Sequence, residues 1–247
     1  MNFLEENMNS VVLGDCLELF KKLDDNSIDV SFTSPPYYSV GGGYGSNNKD
    51  KYLEPEKYDD WFGFQTDVID ELLRVTKKYV LYNVQALQGN RHNVYKLIGH
   101  YAERIHDIVI WYKPNGCPTS TPHKISNKYE FLFILKPYGV NAVDVNSEYF
   151  TNVIVKKGDN DNEYADIHRA VMNKPFCDEI IHEFTKENDI VLDPFFGTGT
   201  TGICCKEQNR RFIGFEINKT YYEVSKKRIN GIRRNGQMSI FTDFENV

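Results

Sequence analysis

Two short stretches of the chain combine residue types that could do chemistry, and the first is a glycine-rich run. The run DPFFGTGTTG, residues 193–202, places Gly197, Gly199 and Gly202 in the spacing Gly-x-Gly-x-x-Gly between an apolar segment and a helical pattern. Glycines at such a turn let a ligand approach the backbone, and the N-terminus of the helix favours negative charge. We predict a nucleotide-like ligand here, while NAD-dependent enzymes and simple tight packing can require the same glycines.

An acidic residue follows the glycine run at the spacing that nucleotide-binding sheets use. Glu216 comes directly after the apolar segment 212–215, one helix and one strand beyond the run. Its carboxylate could accept hydrogen bonds from ribose hydroxyls. The run lacks the Gly-Lys-Ser/Thr ending of a P-loop, which argues against that alternative.

The second stretch is Ser34-Pro35-Pro36-Tyr37, which directly follows the apolar segment 28–33. Two prolines end a strand and stiffen the backbone, so Ser34 Oγ and the Pro35 carbonyl would offer two fixed hydrogen-bond acceptors. An aromatic amine is a poor nucleophile because its lone pair is delocalised into the ring, and holding both N–H bonds turns that lone pair toward an electrophile. We interpret the stretch as a site for a base amine, with Tyr37 stacked on a base swung out of a duplex. The plain alternative is a proline-terminated strand that enters a loop.

Short apolar runs alternate with helical patterns along the chain, which is typical of an α/β fold. The runs predict seven strands, at residues 10–14, 28–33, 79–84, 105–111, 129–135, 190–192 and 212–215. The helical patterns predict helices at 16–23, 59–76, 90–101, 175–185, 200–207 and 219–232. We therefore expect a mostly parallel sheet with helices on both faces, and both stretches at its carboxyl edge, where ligands of such sheets usually bind.

Three segments lack regular periodicity and are expected to surround that edge. Residues 39–55 and 113–127 are predicted to be loops, the first a candidate lid over the strand ends. Residues 136–167 are predicted to be an irregular insertion. Because 247 residues with 40% hydrophobic content suffice for one α/β core but hardly for two, we expect one catalytic domain spanning residues 1–247.

The composition limits the classes of protein that remain. A formal net charge of −6 argues against a protein that coats nucleic acid without sequence preference, since such binding needs many lysine and arginine contacts. The five cysteines form no CxxC pair, so we predict neither a zinc ribbon nor a disulfide framework, and no metal site. The sequence has neither a bilayer-spanning apolar segment nor a signal-peptide pattern, so we expect a cytoplasmic location without membrane contact. The basic run Lys226-Lys227-Arg228, with Arg233 and Arg234 beyond it, leaves a solvated helix face and a DNA contact open as alternatives.

The two stretches together resemble the catalytic and cofactor motifs of the amino-type DNA methyltransferases. Their order, with the catalytic motif first, is similar to the circularly permuted β class. The resemblance implies a Rossmann-like methyltransferase fold that uses S-adenosylmethionine (SAM) and acts on double-stranded DNA. It also implies that the irregular residues 136–167 are a short target-recognition insertion. It implies catalytic roles for Ser34, Pro35, Pro36 and Tyr37. It also implies cofactor contacts from Asp193, Phe195, Gly197, Gly199 and Thr200.

Weaker matches extend the resemblance over most of the chain. Asp15, in the run LGDC, is similar to an acidic residue near the adenine of SAM, although a helix cap is an equal alternative. His168 and the run Asn173-Lys174-Pro175 resemble the segment that contacts the methionine part of the cofactor, and Glu216 resembles the ribose-binding residue. Residues 110–115 and 127–130 resemble the segments that flank the target base, although Trp111 fits a core position better.

The first motif residue bears on which base is methylated. In this family Ser-Pro-Pro-Tyr tends to accompany N4-cytosine methylation, whereas Asp or Asn in the first position tends to accompany N6-adenine methylation. We therefore predict direct transfer to cytosine N4 after base flipping, with adenine as the alternative. A methyltransferase of RNA or of protein glutamine, and a non-catalytic SAM-binding subunit, are the other hypotheses. A second copy of the chain and a cognate restriction endonuclease are candidate partners.

Overall fold

The computed structural model describes residues 2–36, 60–87, 89–115, 123, 125–157, 164 and 171–231. The predictions made for Tyr37, His168, Arg233, Arg234 and the segment 39–55, and most of the predicted loop 113–127, lie outside the described residues. The strands are β1 Ser10–Leu13, β2 Ile28–Thr33, β3 Thr76–Val84, β4 Ile105–Tyr112, β5 Tyr129–Leu135, β6 Val153–Val155, β7 Ile190–Asp193 and β8 Arg211–Glu216. The helices are α1 Phe3–Glu6, α2 Cys16–Phe20, α3 Trp61–Val75, α4 Arg91–His100, α5 Lys174–Phe184, α6 Thr200–Glu207 and α7 Lys219–Ile229.

These strands form a single sheet in the order β1-β8-β7-β2-β3-β5-β4-β6. The strand β5 runs antiparallel to both of its neighbours, and the other pairs are parallel. The expected mostly parallel α/β sheet is confirmed, but the predicted number of seven strands is wrong. The eighth strand, β6, forms inside the stretch expected to be irregular because it pairs with β4, with Ile110 opposite Val153. Three residues are too few to show a strand period in the sequence.

Helices cover both faces of the sheet with apolar side chains. On one face α2, α3 and α4 contribute residues such as Phe20, Leu72 and Val94 to a core that also contains Tyr82 of β3. On the other face α5 and α6 pack against the sheet, with Phe176 at its centre. The strands β2 and β7 are buried almost throughout, as parallel strands covered on two faces must be. Within the described ranges, no helix is both long and apolar enough to cross a bilayer.

The chain changes direction across the sheet between β7 and β2. After β7 the next strand is β8 on one side, and after β2 the next strand is β3 on the other side. The carboxyl ends of β7 and β2 are therefore neighbours at a topological switch point, where open α/β sheets form a ligand-binding crevice. The glycine run follows β7 and Ser34-Pro35-Pro36 follows β2, so the fold brings the two stretches to one crevice.

Candidate functional site

A buried carboxylate joins the two strand ends at the switch point. Asp193 Oδ1 accepts hydrogen bonds from Thr33 Oγ1 at 2.7 Å and from the Phe195 amide at 3.1 Å, and Oδ2 accepts one from Thr201 Oγ1 at 2.7 Å. Burial raises the pKa of Asp193, while these donors favour its ionised form. Both oxygens bond within the protein, so the carboxylate holds β2, the glycine run and α6 together. Its contact with a cofactor stays a prediction.

The three glycines of the run have different roles. Gly197 and Gly199 have φ angles of 55° and 88°, in the left-handed region that side chains disfavour, and they shape the turn that leads into α6. A Cβ at Gly202 would instead lie 2.6 Å from Phe196 Cζ and 2.9 Å from Phe212 Cε2. The first two glycines therefore set the conformation of the turn, and the third allows close packing, which was the plain alternative for the whole run.

The turn contains a polar atom without a partner. Thr200, the first residue of α6, is 3% exposed, and its hydroxyl has no hydrogen-bond partner among the described residues. Gly199 precedes it at the N-cap position, so no side chain caps this helix. A buried hydroxyl left unsatisfied costs about 1–3 kcal/mol, which a ligand that bonds to it would recover. The residues present therefore fit a small polar ligand at the start of α6.

Two acidic residues lie at the ends of the paired strands β8 and β1. Glu216, only 7% exposed, accepts hydrogen bonds from the Gly197 amide and the Asn218 amide, both at 2.7 Å. Burial raises the pKa of Glu216 to about 7. Asp15 follows β1, and its Oδ1 accepts from the Leu17 amide at 2.9 Å as the N-cap of α2. The helix-cap interpretation of Asp15 is thus confirmed. Its ligand contact stays a prediction.

The structure directs the Lys174 side chain away from the glycine run. Lys174 Nζ lies 2.7 Å from Asp178 Oδ2 and 2.6 Å from Glu207 Oε2. Glu207 is the last residue of α6, about 10 Å along the helix from Thr200. The Lys174 ammonium therefore forms ion pairs with one carboxylate of α5 and one of α6.

Asn173 is the buried member of that segment, and its contact with the cofactor stays a prediction from the family resemblance. Its Oδ1 caps α5 by accepting from the Phe176 amide at 3.0 Å, and its Nδ2 donates to the Lys157 carbonyl at 3.2 Å. Pro175 follows in the first turn and is exposed. Asparagine shortly before a proline at a helix start is a capping signal that the sequence already contained.

The end of β2 lies beside the glycine run and is anchored by α3. Ser34 is half-buried and Pro35 is buried. The Pro36 carbonyl accepts a hydrogen bond from Trp61 Nε1 at 3.2 Å. Phe195 of the run packs edge-on against Phe64 of α3, with ring centroids 6.0 Å apart, so α3 contacts both stretches.

The segments predicted to flank a base are paired in the sheet. Trp111 of β4 lies opposite Glu130 of β5, and Glu130 forms an ion pair with Lys113 that is largely buried. The Trp111 ring is 5% exposed and stacks on Phe176 of α5 with centroids 4.3 Å apart, which confirms it as a core residue. Lys113 Nζ lies 4.9 Å from the Trp111 ring. The ion pair was not predicted, because only strand register brings its two residues together.

Within the predicted recognition insertion, residues 144–147 bond to the end of α5 and to β3. Asn146 Nδ2 donates to the Thr185 carbonyl at 2.8 Å, and the Ser147 amide donates to Glu183 at the end of α5 at 3.0 Å. The Asp144 amide donates to the hydroxyl of Tyr79, near the start of β3. Glu183 and Thr185 lie at the end of α5, before β7 begins, so residues 146–147 pack where β7 starts and not at its carboxyl end, which holds Asp193.

Comparisons with known proteins agree with this architecture. Residues 28–227 match the family model N6/N4 methylase, described as a DNA methylase. The chain is 27% identical to the type II methyltransferase M.HinfI of Haemophilus influenzae, over 94% of this chain and 71% of that protein. It is also 27% identical to the type II methyltransferase M2.LlaDCHI of Lactococcus lactis subsp. cremoris, over 92% and 91% respectively.

Two solved structures show a similar fold. The PvuII DNA methyltransferase, described as cytosine-N4-specific, has a TM-score of 0.68 at 18% identity, over 89% of this chain and 85% of that one. The M1.HpyAVI–SAM complex has a TM-score of 0.64 at 23% identity, over 90% and 98%. The predicted Rossmann-like methyltransferase fold is therefore confirmed.

Proposed function

The chain belongs to the N6/N4 DNA methylase family, and from this premise we propose that it methylates the N4 amino group of cytosine in double-stranded DNA. Membership makes the protein a SAM-dependent methyltransferase that acts on amino groups of DNA bases. The choice of cytosine, and the assignment of individual residues to the reaction, are the proposed part.

The observation that best supports the proposal is the 2.7 Å hydrogen bond between Thr33 and Asp193. This bond joins the residue before Ser34 to the residue that begins the glycine run. An amine bound at Ser34 and a methyl donor bound near Gly197 would then lie in the same crevice. Transfer of a methyl group between two bound molecules needs this proximity more than it needs a strong acid or base.

The proposed mechanism uses the chain to orient the amine. Ser34 Oγ and the Pro35 carbonyl accept the two N–H bonds of a flipped base, which turns the nitrogen lone pair toward the methyl group, while Tyr37 stacks on the ring. When bound, SAM supplies an electrophilic methyl group on a sulfonium that is a good leaving group. An amine held at Ser34 and Pro35 could form a new N–C bond as the donor's S–C bond breaks, and it would then lose one proton to water. The hydrogen bond from Trp61 to Pro36 keeps the proline pair in place.

The residues proposed to hold the cofactor lie at three adjacent strand ends. Glu216 would accept the ribose hydroxyls, and Asp15 would lie near the adenine. Phe195, Gly197, Gly199 and Thr200 would line the turn, with the Thr200 hydroxyl as a donor or acceptor for the ligand. Lys174 and Pro175 belong to this set only through the family resemblance.

Two further observations support cytosine and a restriction-modification context. Serine stands at the first position of the catalytic motif, and the structurally similar PvuII enzyme is described as cytosine-N4-specific. The relatives named above are described as type II methyltransferases. We therefore propose a cognate restriction endonuclease as a partner, and a second copy of the chain as a partner on the DNA.

The test is to identify the methylated base. The protein is incubated with isotope-labelled SAM and unmethylated duplex DNA of mixed sequence, and the DNA is digested to nucleosides for mass spectrometry. Labelled N4-methylcytosine is the expected product. N6-methyladenine instead would reject the choice of cytosine. SAM binding without any labelled nucleoside would reject catalysis and favour a non-catalytic subunit.

A further inference from the structure

Arg228 belongs to the basic run that the sequence left open between a solvated helix face and a DNA contact. It lies in the last turn of α7 and is half-buried, whereas Lys226 and Lys227 beside it are exposed. Its Nη1 donates to the Thr198 carbonyl at 2.6 Å and to Thr198 Oγ1 at 2.8 Å. The guanidinium therefore points into the glycine turn.

The same guanidinium also contacts a second segment. Its Cζ lies 4.5 Å from the centre of the Tyr164 ring, a cation–π distance. Tyr164 is 6% exposed and lies in the chain between β6 and α5, within the predicted recognition insertion. Arg228 thus joins the glycine turn to a residue of that insertion.

Arg228 binds the residue at the centre of the glycine turn. Thr198 lies between Gly197 and Gly199, which both have left-handed φ angles. A glycine on each side leaves the backbone around Thr198 free to rotate unless another group fixes it. A planar guanidinium that bonds both the carbonyl and the hydroxyl of one residue fixes that peptide. Ser225, one helical turn before Arg228, packs on the same turn, since a Cβ at Gly199 would lie 3.0 Å from Ser225 Cβ.

We propose that Arg228 is a positioning residue for the cofactor: it holds the Thr198 peptide so that the glycine turn is formed before SAM binds, and Tyr164 keeps the guanidinium in place. This inference rests on the family's use of SAM and not on the choice of cytosine. Its test measures cofactor binding without DNA, so its failure and the failure of the cytosine assignment are distinguishable.

The sharpest test is a matched pair of charge-removing variants. Arg228→Gln and Lys227→Gln each remove one positive charge from α7, but only Arg228 contacts the glycine turn. By isothermal titration, Arg228→Gln should raise the Kd of SAM about tenfold or more, the usual effect of losing hydrogen bonds from a charged group. Lys227→Gln should change it less than about twofold. Arg228→Lys keeps the charge and a donor but not the guanidinium plane that lies over the Tyr164 ring, and should recover only part of the affinity.

A second readout separates positioning from general structural support. Steady-state kinetics should show a raised KM for SAM with kcat at saturating SAM nearly unchanged, because the turn is completed once the cofactor is bound. A variant that only loses stability would show a lower melting temperature and an unchanged Kd per folded molecule, which would overturn the proposal. If Arg228→Gln does not fold, Tyr164→Leu replaces it, and an unchanged SAM Kd in that variant would also overturn the proposal.

The DNA-contact alternative predicts a different pattern. If the basic run binds phosphates, Arg228→Gln and Lys227→Gln should weaken DNA binding equally and reduce its salt dependence, with the SAM Kd unchanged. That result would reject Arg228 as a positioning residue. The proposal expects Arg228→Gln to keep the DNA affinity of the wild type when no cofactor is present.

Discussion

The two halves of the crevice are stabilised in different ways. On the cofactor side, Asp193, Glu216 and Arg228 each make at least two hydrogen bonds, and together these bonds hold the turn after β7 and the residues around it. On the base side, the Pro36 carbonyl at the end of β2 is held by Trp61 of α3. The two sides differ in what anchors them, because hydrogen bonds among side chains and turn amides shape the cofactor half, whereas a helix side chain anchors a proline-terminated strand end in the base half.

This difference separates two kinds of substitution. Changes at Asp193, Glu216 or Arg228 in the cofactor half should alter SAM affinity or stability, because these three residues already have hydrogen-bond partners in the free protein. Changes in the base half should alter turnover more than stability, because its acceptors are proposed to act on the substrate. Asp193 forms hydrogen bonds with both halves, so a change at Asp193 is expected to affect stability and turnover together.

The largest expected effect is on turnover, from Ser34→Ala. Removing one of two acceptors that orient the amine should lower kcat by roughly 100-fold to 1,000-fold, as losing one well-placed hydrogen bond at a reacting group does. The SAM Kd and the melting temperature should be nearly unchanged. Ser27→Ala is the matched control, since Ser27 directly precedes β2 and Ser34 directly follows it. Retained activity, or a loss of stability comparable to the loss of activity, would contradict the division into halves.

The next effect is on stability, from Asp193→Ala. This change leaves the buried hydroxyls of Thr33 and Thr201 and the Phe195 amide without their acceptor, and should lower the free energy of unfolding by about 2–3 kcal/mol. Urea denaturation measures it. Asp193→Asn should lose only about 1 kcal/mol, because an amide keeps one acceptor and the hydroxyls can rotate. Equal losses in both variants would show that charge, and not hydrogen bonding, joins the two halves.

The smallest effect is a pH dependence of cofactor binding through Glu216. Burial raises the pKa of this carboxyl from 4.5 to about 7 in the free protein, and ribose hydroxyls would bind its ionised form better. The SAM Kd should therefore be about tenfold higher at pH 6 than at pH 8, and titrations at several pH values measure this. Glu216→Gln, whose amide does not titrate, is the control and should bind SAM independently of pH in this range.

The same raised pKa sets the sign of a stability change in the free protein. A carboxyl with a folded-state pKa above its unfolded value contributes stability below about pH 4.5, and that contribution is lost as the pH rises through about 7. The part of the unfolding free energy that depends on Glu216 should thus fall as pH rises across this window, and saturating SAM should remove the fall. Unfolding curves of the wild type and of Glu216→Gln, recorded at several pH values, measure the difference in unfolding free energy between them. A constant difference between them across the window would contradict a perturbed Glu216.

Several elements of the fold were predictable because their signals are local. The apolar run 28–33 and the helical pattern of α3 appear in the structure within a few residues of their predicted bounds. Gly197 and Gly199 were recognisable because their spacing between a strand and a helix is a local pattern, and the structure shows that both have left-handed φ angles. Asp15 could be predicted as a helix cap for the same reason, since capping depends on residues two or three positions apart.

Other features depend on contacts between distant segments. The strand β6 exists through its pairing with β4, and the ion pair of Lys113 with Glu130 exists through strand register. Lys174 forms ion pairs with Asp178 and Glu207. The first pair has helical i,i+4 spacing, but the second could not be predicted from sequence spacing because Glu207 lies on another helix. Residues 144–147 were expected to help read DNA, and only the folded chain shows them bonded to the end of α5 and to β3.

The sequence by itself determined the α/β class, the family and the two motifs, because these follow from local periodicity and from residue types at fixed spacing. Only the tertiary structure decided that the Asp193 carboxylate links the two motifs, that Gly202 is a packing residue and that Arg228 points into the glycine turn. Each of these roles depends on a partner 10 or more residues away or on another element, as for Asp193 with Thr33 and Arg228 with Thr198. The physical reason is that burial and hydrogen bonding depend on which elements are neighbours at the switch point of the sheet. Those elements are distant in sequence and become neighbours only when the whole chain folds.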